Sequence, residues 1–259
     1  MTRLEQLVNL NKMLLEDMPF YQDQAVRFSR DEQSQWQLFR SLVNVREPRP
    51  VSSDFIKMQD CFLKNETVTK GIMDISNLTP IQDKIYLWQG DITTLRVDAI
   101  VNAANSGMTG CYCPCHGCID NAIHTFAGVQ LRQECAEIMK AQGYPEPAGQ
   151  AKITKAYNLP CEYVIHTVGP IVDSQLNENH KQQLASCYRS CLELAEKNHL
   201  RSIAFCCIST GEFHFPNQEA AEIAVHEVQT YHKNGGKCAV VFNVFKEFDL
   251  KIYNQFLRL

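Results

Sequence analysis

The segment GCYCPCHGCID, residues 110–120, holds four cysteines and one histidine within the eight residues 111–118. Thiolate and imidazole are the donors that zinc selects, and three of them leave a fourth position open for water or substrate. On the residues alone two donor sets stay open. Cys111, Cys113, Cys115 and Cys118 could close an all-cysteine, structural shell, although the short spacings among the first three strain simultaneous ligation. Two cysteines with His116 would instead leave the shell open. Cys115 to Cys118 also reads as C-x-x-C at a helix start, where a thiol ionises easily and could do redox work. The thioredoxin setting that such a motif needs is missing.

Three other places carry polar groups suited to a ligand. Asp91 follows Gly90, and its carboxylate could accept from an exocyclic amine; a bare Gly-Asp is also an ordinary turn or cap. Asn102 and Asn105 offer amides that suit sugar hydroxyls. Ser209, Thr210 and Gly211 form a small-residue loop that can turn successive N–H groups toward a phosphate, with Pro216 and Asn217 leading into a helix. The loop is neither a Walker A sequence nor a dinucleotide fingerprint. Asp120 opens a helix, where a carboxylate is favoured by the dipole, either as a cap or to orient water or substrate. His124 is expected to face the core.

The elements that must position these groups follow from periodicity. The first ~70 residues read as helices. Leu4, Leu7, Leu10, Leu14 and Leu15 share one stripe, and DEQSQWQLFRSLVNV and SSDFIKMQDCFL repeat the pattern with weaker caps. From Lys84 the texture becomes β-rich: KIYLWQGDI, DAIVNAA, QAKITKAYN, EYVIHTVG, SIAFCCIST and CAVVFNVF. Helical stretches lie between and after them, including one long run at 118–140, then 180–198, 217–234 and 247–259. Near-continuous apolar strands alternating with helices argue for a mostly parallel sheet between helical layers. The residues after QGDI, IVNAAN and CCIST should then share one crevice outside the carboxyl ends of the strands.

The bulk properties set limits. A chain of 259 residues with net charge −4 has ample core and no basic surface for nucleic acid. No apolar run approaches the ~18 residues of a membrane span. The N-terminus, with Arg3 and Glu5, is no signal peptide, so the 12 cysteines are expected in a reducing cytoplasm. Cys187, Cys191, Cys206, Cys207 and Cys238 lie in apolar patterns and read as small core residues.

Taken in order, GDIT…VDAIVNAANS, AKITKAYNLP…YVIHTVGP and LRSIAFCCISTGEFHFP…AAEIAV resemble the successive motifs of the macrodomain family, over about residues 85–256. The resemblance implies a three-layer α/β/α macrodomain at 73–259, with a mixed, mostly parallel sheet, after an N-terminal helical appendage at 1–72. It implies ADP-ribose as ligand. Asp91 would meet the adenine amine with the Ile92 backbone beside it, and Asn105 the distal ribose. Residues Ser209, Thr210, Gly211, Glu212 and Phe213 would wrap the diphosphate, with Phe213 against the distal ribose.

The glycine run and Val-Asp-Gly of ordinary hydrolytic members are absent. Cys118 and Ile119 stand where that Gly-Val would be and Asp120 matches the family's Asp, so the resemblance implies that these three also line the ADP-ribose at its diphosphate and distal ribose. C-x4-H-x-C before Ile-Asp-Asn is similar to the zinc-containing microbial subgroup, which implies Cys111, His116 and Cys118 as ligands to Zn2+. It further implies a protein-ADP-ribose hydrolase acting on mono-ADP-ribosylated protein, with Asn105 and Asp120 as its catalytic residues; an Asp or Glu ester is the expected linkage, because an ester carbonyl is a natural target for a Lewis acid, and a monomer is expected. A non-catalytic ADP-ribose reader with a structural zinc, or a deacetylase of O-acetyl-ADP-ribose, are the alternatives.

Overall fold

The computed structural model describes residues 1–258. The N-terminal region folds as α1 (Arg3–Asp17), the short α2 (Gln22–Ala25), α3 (Glu32–Val45) and α4 (Ser53–Lys70). The caps are stronger than expected. Thr2 and Glu5 form a capping box on α1, Asp31 accepts the Ser34 N–H on α3, and Ser52 accepts the Phe55 N–H on α4.

Strand β1 (Met73–Asp74) comes next, then β2 (Ile85–Gln89), β3 (Leu95–Arg96) and β4 (Ala99–Ala104). They are followed by α5 (Ile119–Ala127), α6 (Val129–Gln142), β5 (Ala151–Lys155), β6 (Tyr163–Val168) and α7 (Glu178–Lys197). The chain closes with β7 (Ser202–Phe205), α8 (Asn217–Lys233), β8 (Ala239–Val244) and α9 (Glu247–Leu257). Two of these, β1 and β3, pair as a small separate ribbon that the apolar pattern does not announce.

The main sheet has the order β2-β8-β7-β4-β6-β5, parallel except for the antiparallel edge pair β5–β6. This is the mixed, mostly parallel sheet expected. Its central strands are apolar on both faces because helices cover both. Helices α7, α8 and α9 pack together as one layer; α5 and α6 form the other, with α3 and α4 laid over α5 and α1 against both. One contiguous core runs from Leu7 in α1 through Ile100 and Val240 in the sheet to Leu257.

The long helix expected at 118–140 is two helices. Gly128 takes φ +97°, and a Cβ there would lie 2.6 Å from Gln59 Nε2. The chain therefore turns at Gly128 rather than continuing as helix. Among the described residues, no helix is long and apolar enough to cross a membrane.

Candidate active site

Because β7 pairs with both β4 and β8, the segments leaving the carboxyl ends of β4, β7, β8 and β2 are neighbours. Residue 105 leaves β4, 209–213 follow β7, and Asp91 follows β2. The segments expected to meet at these ends are therefore brought to one side of the sheet. Gly169, at the end of β6, lets the 209–213 loop approach, since a Cβ there would overlap Ser209 Oγ.

The cysteine-rich loop resolves into two sets of thiols. The donor atoms of Cys111, His116 and Cys118 all lie within 4.8 Å of one another, and Cys111 Sγ is 3.7 Å from His116 Nδ1. Cys115 turns the other way. Its Sγ sits 3.4 Å from both Ser41 Oγ and the Gln37 carbonyl of α3, and Cys113 is exposed. The all-cysteine shell left open by spacing is therefore not the arrangement this loop adopts.

Cys118 is also the N-cap of α5, its Sγ accepting the Asn121 N–H at 3.4 Å. Burial, with Cys111 alongside, nonetheless pushes its thiol up to about 12. Two partly buried thiols and an imidazole are a set that a soft dication would hold, releasing the thiol protons. The donors fit zinc. His116 Nε2 lies 3.5 Å from Glu212 Oε1, so a carboxylate holding Nε2–H leaves Nδ1 to face the thiols. Glu212 belongs to the 209–213 loop, and this contact joins the two loops.

Asp120 sits in the first turn of α5, 5% exposed, behind Asn105. It accepts from Asn102 Nδ2 at 2.8 Å and Asn105 Nδ2 at 3.3 Å. Burial raises its carboxyl to about 6, against the pull of these amides and of Arg132. Asn105 also donates to the Gly110 carbonyl at 3.1 Å and accepts the Gly107 N–H at 2.9 Å. Asn102 departs from expectation. It is fully buried in β4, bonded to Asp120 and to His166 Nδ1 at 3.1 Å, and cannot meet a sugar.

His124 faces the core as expected, with Nε2 3.5 Å from Asp120 Oδ1. Burial, His166 and Arg132 hold it neutral, well below the usual histidine range. His124, Cys135 and His166 form a second close group. His166 Nε2 is already 2.9 Å from Thr154 Oγ1 and the Arg132 charge weighs on His124, which argues against a cation here; among the described residues the two ring nitrogens of His124 have no hydrogen-bond partner, and the ring packs beneath Asp120.

At the other end, Asp91 Oδ1 accepts from Thr93 N at 3.0 Å and Thr93 Oγ1 at 2.6 Å. Its Oδ2 accepts from Lys70 Nζ at 2.8 Å. Burial raises this carboxyl, but the Lys70 and Thr93 bonds outweigh it and hold it below the ordinary range. Lys70, the last residue of α4, also lies over the Phe126 ring. Spacing gave no sign of it, because the pair is 21 residues apart.

The 209–213 loop bends through Ser209 at φ 64°, with the Phe215 N–H returned to the Ser209 carbonyl. Among the described residues, the N–H groups of Gly211, Glu212 and Phe213 have no protein acceptor. Phe213 packs with Ala104, Met108 and Val168. Phe245, just after β8, is 75% exposed beside the β2 end; the strand-end phenylalanine of FNVF was its available signal. Two surface hollows, one around Pro48 and Arg132 and one around Tyr157 and Gln133, lie away from these strand ends.

The Macro domain family model matches residues 101–224. A "Protein-ADP-ribose hydrolase" of Treponema medium is 53% identical over 262 residues, 99% of this chain and 100% of that protein. One of the same name from Staphylococcus aureus (strain MSSA476) is 51% identical, covering 85% of this chain and 84% of that protein. The Trypanosoma brucei macrodomain in complex with ADP-ribose superposes with a TM-score of 0.64 at 32% identity, over 83% of this chain and 94% of that one.

Proposed function

The chain belongs to the macro domain family, and from that premise we propose that it is a zinc-dependent hydrolase releasing mono-ADP-ribose from modified protein side chains. The observation that carries this reading is the convergence of Cys111, His116 and Cys118 beside Asn105 and Asp120, tied to the 209–213 loop through Glu212. The names and extent of the relatives support the same activity.

Asp91 accepts the adenine amine on the carboxylate that Lys70 now holds, and the Phe245 ring offers a face for the base. The N–H groups of residues 211–213 turn to the diphosphate. Asn105, its amide hydrogens held by Asp120 and Gly110, presents its remaining Oδ1 lone pair to the distal ribose. Cys111, His116 and Cys118 would hold Zn2+, which when bound supplies Lewis acidity beside that sugar. An Asp or Glu ester is the substrate that best fits such a site, because its carbonyl is readily polarised. Free thiols throughout the chain suit a reducing, cytoplasmic setting.

The test offers the enzyme aspartate/glutamate-modified protein, serine-modified protein and O-acetyl-ADP-ribose in parallel. Release from the first substrate alone is expected. Turnover only of O-acetyl-ADP-ribose would make the chain a deacetylase, and binding of ADP-ribose without turnover of any substrate would make it a reader.

A further inference from the structure

The loop that carries the three donors does not hold its own shape. Cys115 takes φ 53°, left of the region a cysteine prefers, and its backbone N–H is bonded to Asn44 Oδ1 at 2.9 Å. Asn44 is 1% exposed and its Nδ2 donates to Thr125 Oγ1 of α5 at 3.0 Å. One side chain of α3 thus pins the strained residue of the loop to the helix that Cys118 caps. One turn earlier, Arg40 Nη2 donates to the His116 carbonyl at 3.3 Å and to Asn121 Oδ1 at 2.9 Å. Asn121 Nδ2 in turn holds the Cys113 carbonyl at 3.0 Å. Each of these bonds spans more than 70 residues of sequence except the last.

We infer that α3 is the outer shell of the metal site, with Asn44 and Arg40 as positioning residues that set residues 111–118 in the conformation where Cys111, His116 and Cys118 converge. This rests on the zinc reading above and assigns the N-terminal helical region a part in it. The physical reason is preorganisation. An eight-residue loop with a left-handed cysteine would otherwise lose its freedom only when the cation binds, and that loss would come out of the affinity. Outer partners of metal ligands are worth about 10-fold to 100-fold in affinity.

The experiment titrates full-length protein with Zn2+ against a chromophoric chelator, and with Co2+ to read the thiolate charge-transfer bands, for wild type, Asn44→Ala, Asn44→Asp and Arg40→Met. Circular dichroism well below the melting temperature establishes that each variant is folded. Asn44→Ala and Arg40→Met should weaken Zn2+ binding by about 10-fold to 100-fold and shift the Co2+ bands. Asn44→Asp keeps the acceptor for the Cys115 N–H and accepts from the Thr125 hydroxyl where Asn44 now donates to it, and should restore both readouts; a merely structural role would give no such rescue. Wild-type affinity in both Asn44→Ala and Arg40→Met overturns the inference and leaves the zinc reading intact. If Asn44→Ala does not fold, Arg40→Met at wild-type affinity overturns it alone. Absence of Zn2+ binding by wild type overturns both.

Discussion

At Asn105 both amide hydrogens are committed before any ligand arrives, one to Gly110 and one to Asp120. In the proposed mechanism Asp120 would act through the orientation of Asn105. Asp120→Asn supplies one acceptor oxygen where two amides now donate, so turnover should fall about 100-fold while ADP-ribose affinity changes little; a KM-against-kcat comparison with calorimetric binding checks this. At Asp91 the Lys70 ammonium favours the charged carboxylate. A carboxyl held below its unfolded value adds stability above that value and loses it as pH falls through the folded one. Lys70→Met should move the Asp91 titration upward, which carboxylate NMR reads directly. The placement of Asp91 and Asn105 after strands and of Asp120 at a helix start was legible in the sequence. Lys70 and Glu212–His116 were not, because their partners meet only through the fold.

Among the elements, α5 and β6 bring His124 and His166 together under Asp120. His166 is pushed down to about 3 by burial and His124 well below its usual range. Unfolded histidines protonate near pH 6.5 while these do not, so stability is full above that pH and is lost as pH falls below it. Asp120, raised to about 6, works in the opposite direction. Two histidines against one carboxyl leave about one proton, or ~1.4 kcal/mol per pH unit near pH 5. Urea unfolding of chelator-treated protein should show that slope, and His166→Gln should flatten it. The periodic patterns located every long helix and the six strands of the main sheet. They did not locate the break at Gly128, which takes φ +97° outside the helical region, nor the burial of Asn102, which lies inside β4 rather than beyond its end. Gly128→Ala should cost about 2–4 kcal/mol, measured as a shift in the urea midpoint.

The whole molecule is built on one core that the N-terminal helices share with the sheet. Arg132 of α6 donates to the carbonyls of Val43, Asn44 and Arg46 while also reaching the Cys111 carbonyl at 3.3 Å. Removal of residues 1–70 would expose α5 and strip these partners, and the truncated chain should aggregate or unfold at low urea, as size-exclusion and denaturation would show. Periodicity identified these segments only as a helical appendage. Their use in bracing the loop at 111–118 depends on contacts between distant segments that no local pattern records. In the proposed function Cys111, His116 and Cys118 hold a zinc that turnover requires. The direct measurement is zinc per chain, ADP-ribose release and ADP-ribose affinity, for wild type and Cys118→Ala side by side. Wild type should carry one zinc and release ADP-ribose, and the folded variant should lose both while still binding ADP-ribose. Full release by Cys118→Ala without zinc would contradict the proposed function.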